Sequence, residues 1–577
     1  MEVSAGKKII CNLGFKYQIL LTPLLRFKGI TLTMRKLLLL LVCLTGLHNV
    51  GYTQSGGTTM DGQVTIEAGE LAGAKENSGI WSFKGVPFAK PPVGQLRWAP
   101  PQPADHWEGV KKANAFGPSP MQKAVFGDMR FRSSGMQEDC LYLNVWTPAR
   151  RKTEKLPVLV YFYGGGFIAG DGSEARYDGE QMAKQGIVVL TVNYRLGIFG
   201  FFAHPELSKE STYHGSGNYG LLDQHAALVW VKKNIAAFGG DPNKITIAGE
   251  SAGSIAVSAL MASPLSSGLI AGAIGESGGM FNPTIPPVSL SDAEQAGLEF
   301  ARKAQTDDLA ELRDLTETEL LDKAANLKML SFPPTIDGYF LKEAPAKVFE
   351  KGKQARVPLL LGWNSAEIPY QSIMGGKKPG PDEYTEVINS LYGAKAKEAL
   401  RLYQGLTTDQ VKRAATDLAS DRFIVYSTWK WADLHSKTGK RNVYRYIFTP
   451  TKPPLSRAYR SQQPGLAGGM QPASKERQTE EEQLGAPHAF EIEYALGNLA
   501  LNPVYEWRKE DYRISHDMLR YFASFIKTGN PNTGSLPQWP VIKDNRNAQY
   551  LEIGVQTKAV QDRHTGRYLF LDKEYNK

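Results

Sequence analysis

The sequence predicts an α/β fold with a large, mostly parallel central sheet and helices on both faces. Three observations predict it. Leu156 to Tyr163 and Ile187 to Val192 are nearly unbroken apolar runs, as in strands buried on both sides. Helically patterned stretches separate such runs, and strands alternating with helices favour parallel pairing. The run Ile245 to Ala248 ends in Gly249-Glu250-Ser251-Ala252-Gly253 and passes into the small-residue stretch Ser254 to Met261. That is a G-x-S-x-G turn in the strand–turn–helix setting it requires.

The elements follow in order. Met34-Arg35-Lys36 is a short basic region, and Leu37 to Leu47 is an apolar run too short to span a bilayer. Polar and small residues follow, the order of a secretory signal peptide. Residues 1–33 therefore read as an upstream over-extension, residues 34–53 as the signal peptide and residues 54–577 as a single domain. The mature chain is expected outside the cell or in the periplasm, with no stable membrane span. A hydrophobic anchor over residues 1–47 is the alternative, and a lipid on Cys43 fits less well because Leu-Val-Cys lacks small residues before the cysteine. Cleavage near Thr53 leaves Cys140 as the one thiol and no internal disulfide.

Residues 62–83 alternate weakly, as edge strands do, and Gly85 to Pro92 is a proline-punctuated loop. Cys140 to Trp146 reads as a strand. Leu156 to Tyr163 ends in Gly164-Gly165-Gly166, Gln181 to Lys184 is helical, and Gly220 to Ala237 is a helix. Further strands follow at Ala271 to Glu276, Leu359 to Gly362 and Val443 to Phe448. Pro453 to Leu484, rich in Pro, Gly and Gln, reads as a long exposed loop. Length alone would allow three or four domains, but one α/β domain can run this long.

Composition excludes some functions. The formal charge is +9, yet residues 1–53 hold seven basic side chains against Glu2 alone, so six of those charges lie in the removed segment. No basic stripe with interleaved aromatics remains, and nucleic-acid binding is not expected. No HExxH or P-loop occurs, and no G-x-G-x-x-G directly follows an apolar strand as a dinucleotide fingerprint must, so neither metal nor cofactor is expected.

The chemistry follows from Ser251. A sharp turn lifts its hydroxyl clear of the backbone at a helix N-terminus, where developing negative charge is favoured. Serine needs a base, and hydrolases with this turn order the triad as serine, acid, histidine. His435, His488, His516 and His564 follow Ser251. His435 and His516 lie in helical patterns and His564 in a turn near the C-terminus. His488 sits in a loop just before a helical pattern, although each could be a structural histidine. Glu367 is the first carboxylate past the strand ending at Gly362; a solvated loop glutamate is the alternative. The amide of Ala252 and those of the triglycine could receive an oxyanion, although three glycines can also make a simple turn.

Several separated segments together resemble the type-B carboxylesterases, the cholinesterase-like branch of the α/β-hydrolase fold, and most of all their bacterial para-nitrobenzyl-esterase-like members. They are Gly85-Val86-Pro87-Phe88-Ala89 with Pro91-Pro92, Glu138 to Val145, Asn193-Tyr194-Arg195-Leu196-Gly197, Gly220-Leu221-Leu222-Asp223-Gln224 and Phe238-Gly239-Gly240-Asp241-Pro242. The resemblance implies a serine esterase with Ser251 as nucleophile, Glu367 as acid and His488 as base. It assigns the oxyanion hole to the amides of Gly165, Gly166 and Ala252, and the substrate to small carboxylic esters. Family members often pair the cysteine at Cys140 with an earlier one; here Pro118-Ser119-Pro120-Met121-Gln122 holds none. Tyr163 stands where many members have histidine, with a packing role expected. The acid motif continues Ile368-Pro369-Tyr370 instead of with glycine. Met280, Phe281 and Tyr370 are pocket candidates by nearness to motifs. A catalytically silent binding module and a hydrolase of amides, peptides or thioesters are the rival readings. Oligomeric state is not legible.

Overall fold

The computed structural model describes residues 59–306, 308–466, 469–472 and 483–576. The readings of residues 1–33 and 34–53 lie outside the described residues. Eleven strands form the central sheet: β1 (Ala74–Lys75), β2 (Trp81–Pro87), β3 (Tyr142–Thr147), β4 (Leu156–Phe162), β5 (Val188–Val192), β6 (Gly240–Glu250), β7 (Gly272–Glu276), β8 (Leu359–Asn364), β9 (Val443–Phe448), β10 (Gln549–Ile553) and β11 (Lys558–Gln561). Their spatial order is β11-β10-β9-β8-β7-β6-β4-β5-β3-β2-β1. Every pairing from β5 through β4 and β6 to β10 is parallel, while β1–β2, β2–β3, β3–β5 and β10–β11 are antiparallel. The sheet is parallel where both faces are covered and antiparallel towards its edges. Accordingly β5, β7, β8 and β9 are buried at every residue.

After β4 the chain adds β5 on one side, then crosses back to place β6 on the other. Such a reversal opens a crevice at the carboxyl ends of the strands, where ligands bind in open α/β sheets. The helices most relevant to this crevice are α1 (Tyr219–Asn234), α2 (Ala252–Ala262), α3 (Thr408–Ser420), α4 (Tyr426–Thr438) and α5 (Lys509–Thr528). Helix α2 packs on β6 and β7, and α4 on β8 and β9. A π turn, Asp421–Val425, joins α3 to α4. Residues 57–577 form one compact unit. Its main core spans the sheet, and a second apolar cluster, including Trp363, Tyr384 and Phe570, gathers around α3, the π turn and the C-terminal helix Thr565–Tyr575.

Several resembling segments prove to be structural joints. Arg97 forms a two-pronged ion pair with Glu138 (2.7 and 2.6 Å), and Arg195 does the same with Asp223 (2.8 Å for both contacts). All four side chains are buried, so each pair needs this matched geometry to offset its desolvation. Three expectations change. The strand expected from Ile245 begins at Gly240, with a bulge before Ile245. The helix expected to Ala237 ends at Asn234 and tightens into a 3₁₀ turn, Ile235–Phe238. The expected loop Pro453–Leu484 contains a hairpin, Gln462–Pro464 with Met470–Pro472; the buried Met470 gives it an apolar anchor that the loop's polarity hid.

Candidate active site

Ser251 joins β6 to α2 as the helix N-cap, with φ +52° and ψ −121°, a conformation that costs a non-glycine residue roughly 1–3 kcal/mol. The backbone crowds there. A Cβ on Gly253 would lie 2.0 Å from the carbonyl oxygen of Phe162, so only glycine lets α2 approach the end of β4 this closely. Neighbouring strand ends are tied in sequence. Ser251 N–H donates to the Glu276 carbonyl (2.9 Å), Ser277 N–H to that of Gly362 (2.8 Å) and Ser365 N–H to that of Phe448 (2.9 Å). The last ties bring in the distant loop: Ala366 N–H donates to the Ala486 carbonyl (2.9 Å) and His488 N–H to the Glu367 carbonyl (3.2 Å).

The carboxylate of Glu367 is fully committed. One oxygen accepts from the Asn364 N–H and from the Ser277 hydroxyl, both at 2.6 Å, and the other lies 2.6 Å from His488 Nδ1. Nδ1 thus carries the proton towards Glu367, leaving Nε2 on the cavity side. Glu250 Oε1 lies 3.2 Å from that Nε2 without making a hydrogen bond to it. Phe423 packs edge-on to the imidazole, with ring centres 5.1 Å apart.

Burial disfavours the His488 imidazolium, but the charges of Glu250 and Glu367 outweigh it and lift the group to about 9. Burial holds the Glu250 carboxyl up at about 7, against the pull of His488 and Arg176. Behind them Glu491 touches Asn364 Nδ2 and accepts from Ser277 at 3.3 Å; burial, then Glu250 and Glu367, push it up to about 8. Glu276 is raised well above the carboxylate range by burial, and Tyr161 donates to it at 3.1 Å. His488, Glu250 and Glu491 therefore compete for protons across one small buried volume.

Gly165 and Gly166 have φ of +106° and +65°, and a Cβ on Gly165 would sit 2.1 Å from the carbonyl oxygen of Ala169. Both line a cavity of about 380 Å³ together with Ser251, His488 and Glu250. A Cβ on Gly164 would lie 3.1 Å from Ser251 Cβ, so the triglycine runs directly past the serine. Ala252 is buried at the first position of α2. The cavity is otherwise largely apolar, through Phe126, Met129, Ile255, Ile285, Phe423, Ile424 and Leu466.

The structure thus brings Ser251, Glu367, His488, Gly165, Gly166 and Ala252 together around the carboxyl ends of β4, β6 and β8. The competing histidines are elsewhere: His435 is buried with Nε2 2.9 Å from the Val357 carbonyl, His516 is exposed, and His564 precedes the C-terminal helix. Met280, Phe281 and Tyr370 do not line the cavity. Met280 N–H is held by the Ser258 hydroxyl (2.8 Å), the Phe281 ring packs on Phe349 at 5.6 Å, and Tyr370 packs on the second apolar cluster. Pro283, Thr284 and Ile285, just beyond them, line it instead.

Tyr163 has the expected packing role. It stacks on Tyr194 at 4.4 Å and donates to the Tyr194 carbonyl at 3.2 Å. Cys140 is a buried free thiol, pushed well up by burial. The loop that a disulfide would hold is tied by another route: the Gln122 side chain accepts from Gly170 N–H (2.8 Å) and donates to the Gly170 carbonyl (2.9 Å), next to the triglycine loop.

Sequence reasoning missed Glu250, Glu491, Arg176 and Arg422. The first two carried a signal, since Glu250 occupies the variable position before Ser251 and Glu491 lies three residues after His488. The arginines carried none, because only the folded chain brings them to the cavity.

The profile of the carboxylesterase family matches residues 60–570. The fumonisin B1 esterase of Sphingopyxis macrogoltabida is 33% identical over 509 residues, covering 83% of this chain and 84% of the relative. The para-nitrobenzyl esterase of Bacillus subtilis is 34% identical over 495 residues, covering 83% and 92%. Among solved structures, the Geobacillus stearothermophilus carboxylesterase EST55 superposes with a TM-score of 0.71 at 32% identity, and a PNB esterase with 0.70 at 29%; each covers 88% of this chain and 99% of the other. With its α/β-hydrolase sheet and this match along nearly all of its described length, the chain belongs to the carboxylesterase family and is a carboxylic ester hydrolase.

Proposed function

We propose that this esterase works through an acyl-enzyme, with Ser251 as nucleophile, His488 as base and Glu367 as the acid that holds the base. One observation carries the reading: Glu367 fixes His488 at Nδ1 (2.6 Å), which leaves Nε2 facing the cavity that Ser251 also lines. Ser251 Oγ bonds to the ester carbonyl carbon while its proton passes to Nε2, and the carbonyl electron pair moves onto oxygen. The amides of Gly165, Gly166 and Ala252 receive that charge. Collapse breaks the bond to the leaving oxygen, which takes the proton from the imidazolium and departs as the alcohol. Water then attacks the acyl carbon and gives one proton to Nε2. The second collapse returns that proton to Ser251 and releases the carboxylic acid. Glu367 stabilises the imidazolium in both halves without itself being protonated.

Ser251→Ala is expected to lower kcat about a million-fold if the three groups act as a unit, with thermal unfolding close to wild type. Turnover near wild type in a folded variant would rule the mechanism out. Export of the mature chain is part of the same proposal, supported by the basic, apolar, polar order of residues 34–53.

A further inference from the structure

Among the described residues four ionisable side chains line the cavity: Arg176, Glu250, Arg422 and His488. Three are engaged in pairs. Arg176 holds Glu174 at 2.8 Å, and Glu250 faces His488 at 3.2 Å. Arg422 differs. Its Nη1 donates to the Tyr392 hydroxyl at 3.3 Å and its guanidinium lies 5.7 Å from that ring's centre, but it has no carboxylate partner among the described residues. The nearby acids are already used. Asp421 accepts from Arg567 at 2.9 Å and from the Tyr403 hydroxyl at 2.8 Å, and Glu574 is paired with Lys395.

The backbone presents Arg422 to the cavity in an unusual way. Arg422, Phe423 and Ile424 are consecutive, and all three line it. In a regular α-helix each residue turns by about 100°, so three in a row seldom share one wall. The π turn at Asp421–Val425 widens the helix here, and such turns occur often at functional sites. A half-buried guanidinium with unused donors is a receptor for a planar anion, which it can bind through two parallel hydrogen bonds.

We infer that Arg422 determines specificity, selecting esters that carry a free carboxylate in addition to the ester bond. The inference rests on the esterase reading of the same cavity and names the substrate class within it. The apolar wall of Phe126, Met129, Ile285 and Leu466 would take the hydrocarbon part, with the second carboxylate on Arg422. That carboxylate can belong to the acyl part or to the alcohol part of the ester.

Two matched pairs of esters separate these cases. On the acyl side, 4-nitrophenyl hemisuccinate is compared with 4-nitrophenyl butyrate. On the alcohol side, the acetyl ester of 4-hydroxybenzoate is compared with that of methyl 4-hydroxybenzoate. The readout is the ratio of kcat/KM for the charged ester to that for the neutral one, in wild type, Arg422→Gln and Arg422→Lys. In one pair the ratio is expected to fall about tenfold or more in the Gln variant, with partial recovery in the Lys variant. Ratios unchanged by Arg422→Gln in both pairs would overturn the inference. If the Gln variant does not fold, the salt dependence of the wild-type ratio decides, since screening weakens a half-buried charge contact. A ratio that drops with added sodium chloride supports the inference, and flat ratios in both pairs overturn it. Failure of the esterase reading looks different, because wild type would then hydrolyse none of the four esters.

Discussion

At the scale of single residues, the site is governed by where protons reside. In the proposed mechanism His488 must be neutral at Nε2 to accept the Ser251 proton. From the usual histidine value, activity would fall below a pH of about 6.5. The structure moves that expectation upward: burial opposes the imidazolium, but Glu250 and Glu367 lift it to about 9. A raised value keeps the base protonated, and idle, to higher pH. The acidic limb of kcat/KM is therefore expected above 6.5. Glu250→Gln removes one of the charges that stabilise the imidazolium, so it should move the midpoint to lower pH by about one unit. A midpoint that stays in place or moves up would show that Glu250 does not set the proton affinity of His488. None of this was readable from the chain. Ser251 and the triglycine were, because their chemistry depends on local turns. The proton balance depends on Glu250, Glu367 and Glu491 meeting: their places beside Ser251, past a strand end and near His488 mark each one, but not the shared burial that raises Glu250 and Glu491.

At the scale of elements, the serine turn was the most legible feature, since an apolar strand, two glycines and a small-residue helix dictate it together. The structure adds the reason for the second glycine: α2 passes so close to the end of β4 that a Cβ at position 253 would meet the Phe162 carbonyl at 2.0 Å. Gly253→Ala is therefore expected to cost about 1–3 kcal/mol, as overpacking typically does, and to lower kcat by shifting Ser251. Urea denaturation with an unchanged midpoint would contradict the tight contact. The less legible elements are those whose form depends on partners. The paired strands Gln462–Pro464 and Met470–Pro472 lie in a polar stretch, and their place is given by Gly469 N–H donating to Asp128 at 3.1 Å. The π turn at Asp421–Val425 follows from no propensity in Asp-Arg-Phe-Ile-Val. Its first residue, Asp421, is a buried carboxyl that Arg567 ties down from a helix nearly 150 residues away.

At the scale of the whole molecule, the sheet order explains why residues so far apart in sequence converge. The reversal around β4 sets the Gly164–Gly166 loop beside the serine turn, and parallel neighbours β7 and β8 extend the same rim to Ser277 and Glu367. His488 comes from beyond β9 and joins through the backbone bond to Glu367. The parallel core could be read from its apolar runs because both faces are covered. The edge strands at residues 62–83 showed through their weak alternation, whereas the C-terminal edge pair β10–β11 and the bulge in β6 left no such pattern. Among the described residues, no helix is long and apolar enough to cross a membrane. Ser251, His488, Gly165 and Gly166 all line the cavity, and the proposed mechanism rests on that convergence. The most direct test is to titrate the purified protein with a serine-directed fluorophosphonate while esterase activity and adduct mass are followed together. One phosphonyl group per chain is expected, bound in the peptide that contains Ser251, with activity falling in step with labelling. Full activity in a labelled protein, or a label on any other residue, would contradict it.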